Sequence, residues 1–213
     1  MSIDTRKPDF LLIGAQKSGT SWLWDKLEQH PETQLPTIKE IHHFGGVENY
    51  FSGIENYYSH FLGLDKKLIT GEASTSYFYD RIPFWNNSSR EIEYHDSLPS
   101  IPELVKQELP DVKIIVVMRD PVERAVSAYR HWLRQGHFSP LSGLKNAAIN
   151  HPKTRIVEYG YYEKFLKAWE KVFNSDQILK LIFEKDIVVN SKDGLKKVYR
   201  FLDISEDFIP PEP

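Results

Sequence analysis

The chain has no cysteine. Disulfides, thiolate metal sites and cysteine nucleophiles are therefore excluded together. Long apolar runs are missing too: no stretch approaches the roughly 20 residues of a membrane span. The start, Met1 to Asp9, is polar and has no signal-peptide core. Neither sign of charge dominates. Lys and Arg number 27 against 30 Asp and Glu, a net charge of −3, which gives no global pull toward nucleic acid or an anionic membrane. Any anion site must be built locally. The histidines show no zinc-ligand spacing, since His42 and His43 are adjacent and make poor co-ligands. These absences predict a cytoplasmic protein with no metal, no nucleic-acid partner and no membrane span.

What remains is ordinary for a globular chain: 213 residues, 40% hydrophobic and 27% charged. That length predicts one domain over residues 1–213. The most informative segment is Gly14-Ala15-Gln16-Lys17-Ser18-Gly19-Thr20-Ser21. It follows the apolar run Phe10–Ile13 and precedes an amphipathic run from Trp22 to Gln29, an order that reads as strand, glycine loop, helix. Such a turn aims backbone N–H groups and a helix N-terminus at one point, which suits a phosphate-sized anion. It resembles a nucleotide-binding P-loop with one departure. The usual loop has Lys directly after its second Gly, then Ser or Thr for magnesium. Here Thr20 follows Gly19 and the Lys stands at position 17.

Along the chain, apolar periodicity predicts strands at Phe10–Ile13, Lys67–Ala73, Val112–Met118 and Gln177–Phe183. Helices are predicted at Ser21–His30, Ile101–Leu109, from Pro121 to Gly136, at Tyr161–Phe173 and at Asp193–Leu202, with a further short helix within Asn49–Phe61. Asp120 is placed to cap the helix that Pro121 opens. That helix shows an apolar stripe of Val122, Ala125, Val126, Tyr129, Trp132 and Leu133, opposite a polar stripe of Arg124, Ser127 and His131. Leu35–Phe44 reads as loop or short strand, and Ser74–Ser100 as mostly irregular. Alternating strands and helices predict an α/β fold, a single domain with a P-loop-like central parallel sheet flanked by helices. Ligands in such sheets bind beyond the carboxyl ends of the strands. Two strand ends carry chemistry, the loop after Ile13 and the Arg119 turn after Met118. If those strands are neighbours, a ligand bridging the turns needs two anionic groups.

With both segments in view, the sequence resembles sulfotransferases that use 3′-phosphoadenosine 5′-phosphosulfate (PAPS). The match rests on the loop within Lys7–Pro31 and on Met118-Arg119-Asp120-Pro121-Val122-Glu123-Arg124-Ala125-Val126-Ser127-Ala128-Tyr129. Weaker echoes lie in Lys39–Phe44, Gly71–Ser74 and Phe183–Asp186. The order and spacing look like the branch of bacterial and heparan sulfate sulfotransferases. The resemblance implies PAPS as cosubstrate and 3′,5′-adenosine bisphosphate (PAP) as product. It implies that Gly14, Gln16, Lys17, Ser18, Gly19, Thr20 and Ser21 grip the 5′-phosphosulfate, and that Arg119 and Ser127 grip the 3′-phosphate. Lys17 would then neutralise the bridging oxygen as it leaves sulfur, with no metal. A Glu in a Glu-x-His-Phe-Phe-like segment is the branch's general base. Carried over, that is Glu40, with His42 in support; His42 as the base is the competing assignment.

Two departures stand out. Where heparan-type enzymes carry Glu-Lys-Thr-Pro, this chain reads Glu72-Ala73-Ser74-Thr75. After Pro213 the basic, glycine-containing loop that closes over PAPS is expected to be absent. The acceptor implied is a hydroxyl or amine on a small molecule or carbohydrate. Two other readings stay open: an unusual P-loop kinase or NTPase with Asp120 on magnesium, and a truncated, non-catalytic nucleotide-binding module. Tyr77, Phe78, Tyr79, Phe84 and Trp85 either line an acceptor cleft or form a satellite core.

Overall fold

Phe10–Gly14 forms the first strand, β1, and every residue in it is buried. The structure is a computed structural model that describes residues 6–84, 93–94 and 97–211. Thr20–Glu28 follows as helix α1. The predicted helix within Asn49–Phe61 is two short ones, α2 (Val47–Phe51) and α3 (Ile54–Ser59), with Gly53 between them. Strand β2 covers Gly71–Ala73, shorter than predicted. A small hairpin of β3 (Pro83–Phe84) and β4 (Glu93–Tyr94) lies in the segment expected to be irregular. Trp85 and the polar run Asn86–Ser89 lie outside the described residues.

Helix α4 (Ile101–Glu108) starts on a reciprocal cap between Ser100 and Glu103. It leads into strand β5 (Lys113–Met118). Helix α5 (Pro121–Arg134) has Pro121 at its first position, and the Asp120 carboxylate accepts from the N–H groups of Val122 and Glu123. Then come α6 (Leu144–Asn150), α7 (Tyr162–Glu170), strand β6 (Ile178–Ile182), a wide helical turn at Phe183–Val189, and α8 (Ser191–Leu202).

The main sheet is parallel in the order β2-β1-β5-β6. β1 and β5 are thus its central pair, which explains their continuous apolar sequences: a strand covered on both faces has no polar side. Alternate residues serve different cores. Leu11, Ile13, Ile114 and Val116 pack with Phe165 and Trp169 of α7 and Tyr57 of α3. Phe10, Leu12, Ile115 and Val117 pack with Leu23 and Leu27 of α1 and Leu195, Val198 and Leu202 of α8. Truncating any of these to Ala would cost about 2–5 kcal/mol.

Helix α5 departs from its predicted face. Val122 is 68% exposed, whereas Arg124, assigned to the polar stripe, is fully buried. The guanidinium stacks over the Tyr159 ring and donates to the Ile156 carbonyl, contacts supplied by a segment some distance along the chain. The C-terminal half keeps its apolar contacts, with Tyr129 stacked on Phe138 and Ala128 packed beside Ala147 of α6.

Candidate active site

The turn between β1 and α1 is held by one backbone hydrogen bond to the neighbouring strand and one within the turn. Ala15 donates to the Val117 carbonyl on β5 at 2.8 Å, and Ser18 donates to the Ala15 carbonyl at 3.2 Å. Gly19 stands at φ 88°, where a β-carbon would come within 2.8 Å of the Phe183 ring. Only glycine suits that backbone and that approach. The turn after β5 meets it. Arg119 Nη1 donates to the Lys17 carbonyl at 3.4 Å, and its guanidinium stacks over the Phe183 ring at 4.9 Å. Adjacency of β1 and β5 thus sets the two cationic turns side by side, on one end of the sheet.

Between them lies a cavity of about 380 Å³. Its walls include Gln16, Lys17, Gly19, Thr20, Ser21, Glu40, Arg119 and Ser127. Gly14 and Ser18 are buried and do not line it. His131, one turn beyond Ser127 on α5, does. The field here is positive: burial lowers the Lys17 ammonium pKa, and Arg134 and Arg119 lower it further. The His131 pKa is lowered by burial, then by Lys17 and Arg134. Two polar atoms, Gln16 Oε1 and Arg119 Nε, are buried with no hydrogen-bond partner. Arg119 Nε is an open donor and Gln16 Oε1 an open acceptor, and with the positive charge of the two turns such a site fits a ligand carrying more than one anionic group.

Glu40 sits where this cavity meets a second one of about 390 Å³. Its Oε2 accepts from the Thr75 backbone N–H at 3.0 Å and the Thr75 hydroxyl at 2.9 Å. His42 lines only the second cavity. Its Nε2 is 3.5 Å from Glu40 Oε2, and its Nδ1 is 2.7 Å from the Ser76 hydroxyl. Tyr79, Trp132, Lys153 and Arg155 complete the second cavity's far wall. Cations on that side therefore come from the segment around 153–155. Ala73, which stands where heparan-type enzymes carry a Lys, is buried in the α1–α8 core. Of the aromatics left open by the sequence, Tyr77 and Phe78 are core, while Tyr79 is both buried and cavity-lining; the side chains of Phe84 and Trp85 are outside the described set.

Sequence reasoning missed three contributors. Thr75 holds Glu40, Phe183 floors the Arg119 turn, and Lys39 donates to the Ser21 hydroxyl at 2.9 Å. The only signal for Thr75 was three consecutive hydroxyl residues after a short strand. Asp120, the ligand a magnesium–nucleotide reading requires, has one carboxylate oxygen committed to two amides of α5. Among the described residues, no three His, Asp or Glu side chains gather where a metal ion could sit. A larger cavity of about 540 Å³ is lined by Lys7, Asp9 and Lys113, at the amino ends of β1 and β5 and away from these turns.

A family model for a sulfotransferase domain matches residues 7–210. The chain belongs to the sulfotransferase family. Mouse carbohydrate sulfotransferase 15 is 28% identical to this sulfotransferase, with 92% of this chain and 44% of that one aligned. A Caenorhabditis elegans bifunctional heparan sulfate N-deacetylase/N-sulfotransferase 1 is 26% identical over 93% of this chain and 22% of its own length. The chain thus spans less than half the length of these relatives. Among solved structures, a sulfotransferase from Alicyclobacillus acidocaldarius superposes with a TM-score of 0.78 at 25% identity, covering 97% of this chain and 85% of that one. A mouse sulfotransferase complexed with PAP shares the fold, with a TM-score of 0.58 at 22% identity over 96% of this chain and 61% of its own.

Proposed function

We propose that this sulfotransferase moves a sulfuryl group from PAPS to a hydroxyl or amine of a carbohydrate or small-molecule acceptor. The observation that carries the reading is the pairing of the Lys17 and Arg119 turns around one cavity, with Glu40 at its border with a second. Arg119 and Ser127 hold the 3′-phosphate; the 14–21 turn, through its amides, Lys17, Thr20 and Ser21, holds the 5′-phosphosulfate. The donor supplies an activated sulfur–oxygen bond. Lys17 stabilises negative charge as that bond breaks. Glu40 takes the proton from the attacking acceptor atom. Its place at the boundary of the two cavities favours it over His42, which lines the acceptor side alone. Thr75 aims one oxygen of the base, and His42 supports the same carboxylate from the acceptor side.

The acceptor wall combines the Tyr79 and Trp132 rings with polar side chains, a surface suited to a sugar-like or aromatic body. Relatives named for carbohydrate and heparan sulfate sulfation support a glycan. The test is transfer of radiolabelled sulfate from PAPS to a panel of glycans, phenols and amines. Label should appear on at least one class with the native chain and not with Glu40→Gln. Equal labelling by both proteins would refute Glu40 as the base.

A further inference from the structure

Behind the 40–42 segment lies a carboxyl that the mechanism above does not use. Glu72, at the centre of β2, is 1% exposed. Its Oε1 accepts a short hydrogen bond from the Ser74 hydroxyl. With its proton committed to that carboxyl, Ser74 Oγ accepts from the backbone N–H of His42 at 2.9 Å. The next two residues do parallel work. Thr75 binds Glu40 through both its N–H and its hydroxyl, and the Ser76 hydroxyl meets His42 Nδ1. Three successive hydroxyl residues thus hold the base segment, and the bond to Glu72 sets which way the first one points.

Building on the sulfotransferase reading, we propose that Glu72 is a positioning residue, locking the Ser74 hydroxyl so that the His42 amide, and with it the Glu40 carboxylate, stays registered against the two cavities. The surroundings say that this carboxyl is kept for a reason. Buried carboxyls without a cation are disfavoured as ions. The groups that act most strongly on it are Ser74, Tyr57 from α3, Tyr77 from the turn after β2, and Glu40. Tyr57 and Tyr77 present buried hydroxyls toward it without well-formed hydrogen bonds. Burial pushes the Glu72 carboxyl up to about 7, against the opposing pull of the Ser74 hydrogen bond. An apolar residue would fill the space without that penalty, but it could not orient Ser74.

The test is amide hydrogen exchange on the full chain, with kcat measured alongside. Variants are Glu72→Leu, which removes the acceptor, Glu72→Gln, which keeps one, and Ser74→Ala, which removes the relay. Loss of one hydrogen bond predicts that His42 amide protection falls about tenfold or more in E72L and S74A. E72Q should restore most of it, and protection at Val116 in β5 should stay unchanged in all three. The PAPS KM should hold while kcat falls in E72L and S74A below its value in E72Q. His42 protection in E72L equal to that of the native chain would overturn the proposal. So would an equal loss at His42 and Val116, which would mark a general loosening. If the native chain transfers no sulfate, the functional reading fails, and the exchange pattern still decides the role of Glu72.

Discussion

The Arg119 guanidinium reaches the backbone carbonyl of Lys17 at 3.4 Å, so the turns that end β1 and β5 are stitched together across the mouth of one cavity. Those residues are 102 positions apart in the chain. Parallel pairing of the two central strands is what makes them neighbours.

From that contact follows a division of labour between the two turns. Arg119→Ala should weaken PAP binding about 10- to 150-fold, the loss of charge-assisted hydrogen bonds. Binding of adenosine 5′-phosphate, which lacks the 3′-phosphate, should hardly change. Titration calorimetry with the two nucleotides reads both. An equal loss for both would show that Arg119 does not face the 3′ end.

Glu40→Gln should lower kcat roughly 10²- to 10⁴-fold, the contribution of a positioned general base. PAP affinity should stay near the native value. Thr75→Val removes the hydroxyl donor and keeps the amide, so a smaller fall in kcat is expected. A Thr75→Val enzyme with native kcat would mean that Glu40 needs no second donor.

Stability should carry two opposed proton linkages near the site. Burial holds the Glu72 carboxyl at about 7, raised from 4.5. The folded chain keeps a proton that the unfolded chain has released, so stability from this group falls as pH rises between those values, by about 3 kcal/mol in all. His43, stacked on Tyr57, is lowered by burial from 6.5 to about 4. Below 6.5 the unfolded chain gains a proton that the folded chain refuses, so stability from this group falls as pH drops toward about 4. Each slope is about 1.4 kcal/mol per pH unit, and they offset where they overlap. Urea unfolding should therefore show Glu72→Gln gaining stability relative to the native chain as pH rises from 4.5 to 7. A pH-independent difference would contradict the burial of an ionisable Glu72.

Gly194, in the first turn of α8, lies so close to the Phe183–Val189 turn that a β-carbon there would meet the Asp186 carbonyl oxygen at 1.8 Å. Backbone cannot yield to that as a flexible side chain could. Gly194→Ala should cost about 3 kcal/mol and lower Tm by about 6–12 °C. An unchanged melting curve would mean that α8 does not pack on that turn as described.

Much of this arrangement was legible in the sequence because its signals are local. Gly14, Gly19, Asp120 and Pro121 announce two strand-to-helix turns through backbone requirements that neighbours cannot override. The buried side of α5 was not legible. Arg124 goes inward because Tyr159 and the Ile156 carbonyl receive it, and no periodicity within the helix encodes partners from another segment. Thr75 and Ser74 acquire roles only once β2 pairs with β1 and brings them against residues 40–42. Helix α6, with small residues at its centre, buries only Ala147 and offered no stripe to find.

Calorimetric titration of the native chain with PAP, set beside ATP with magnesium, decides whether one pocket reads both anionic ends of an adenylate. If it does, PAP binding is saturable and needs no magnesium, and ATP–magnesium binds much more weakly. Tight ATP–magnesium binding with no heat from PAP would contradict it.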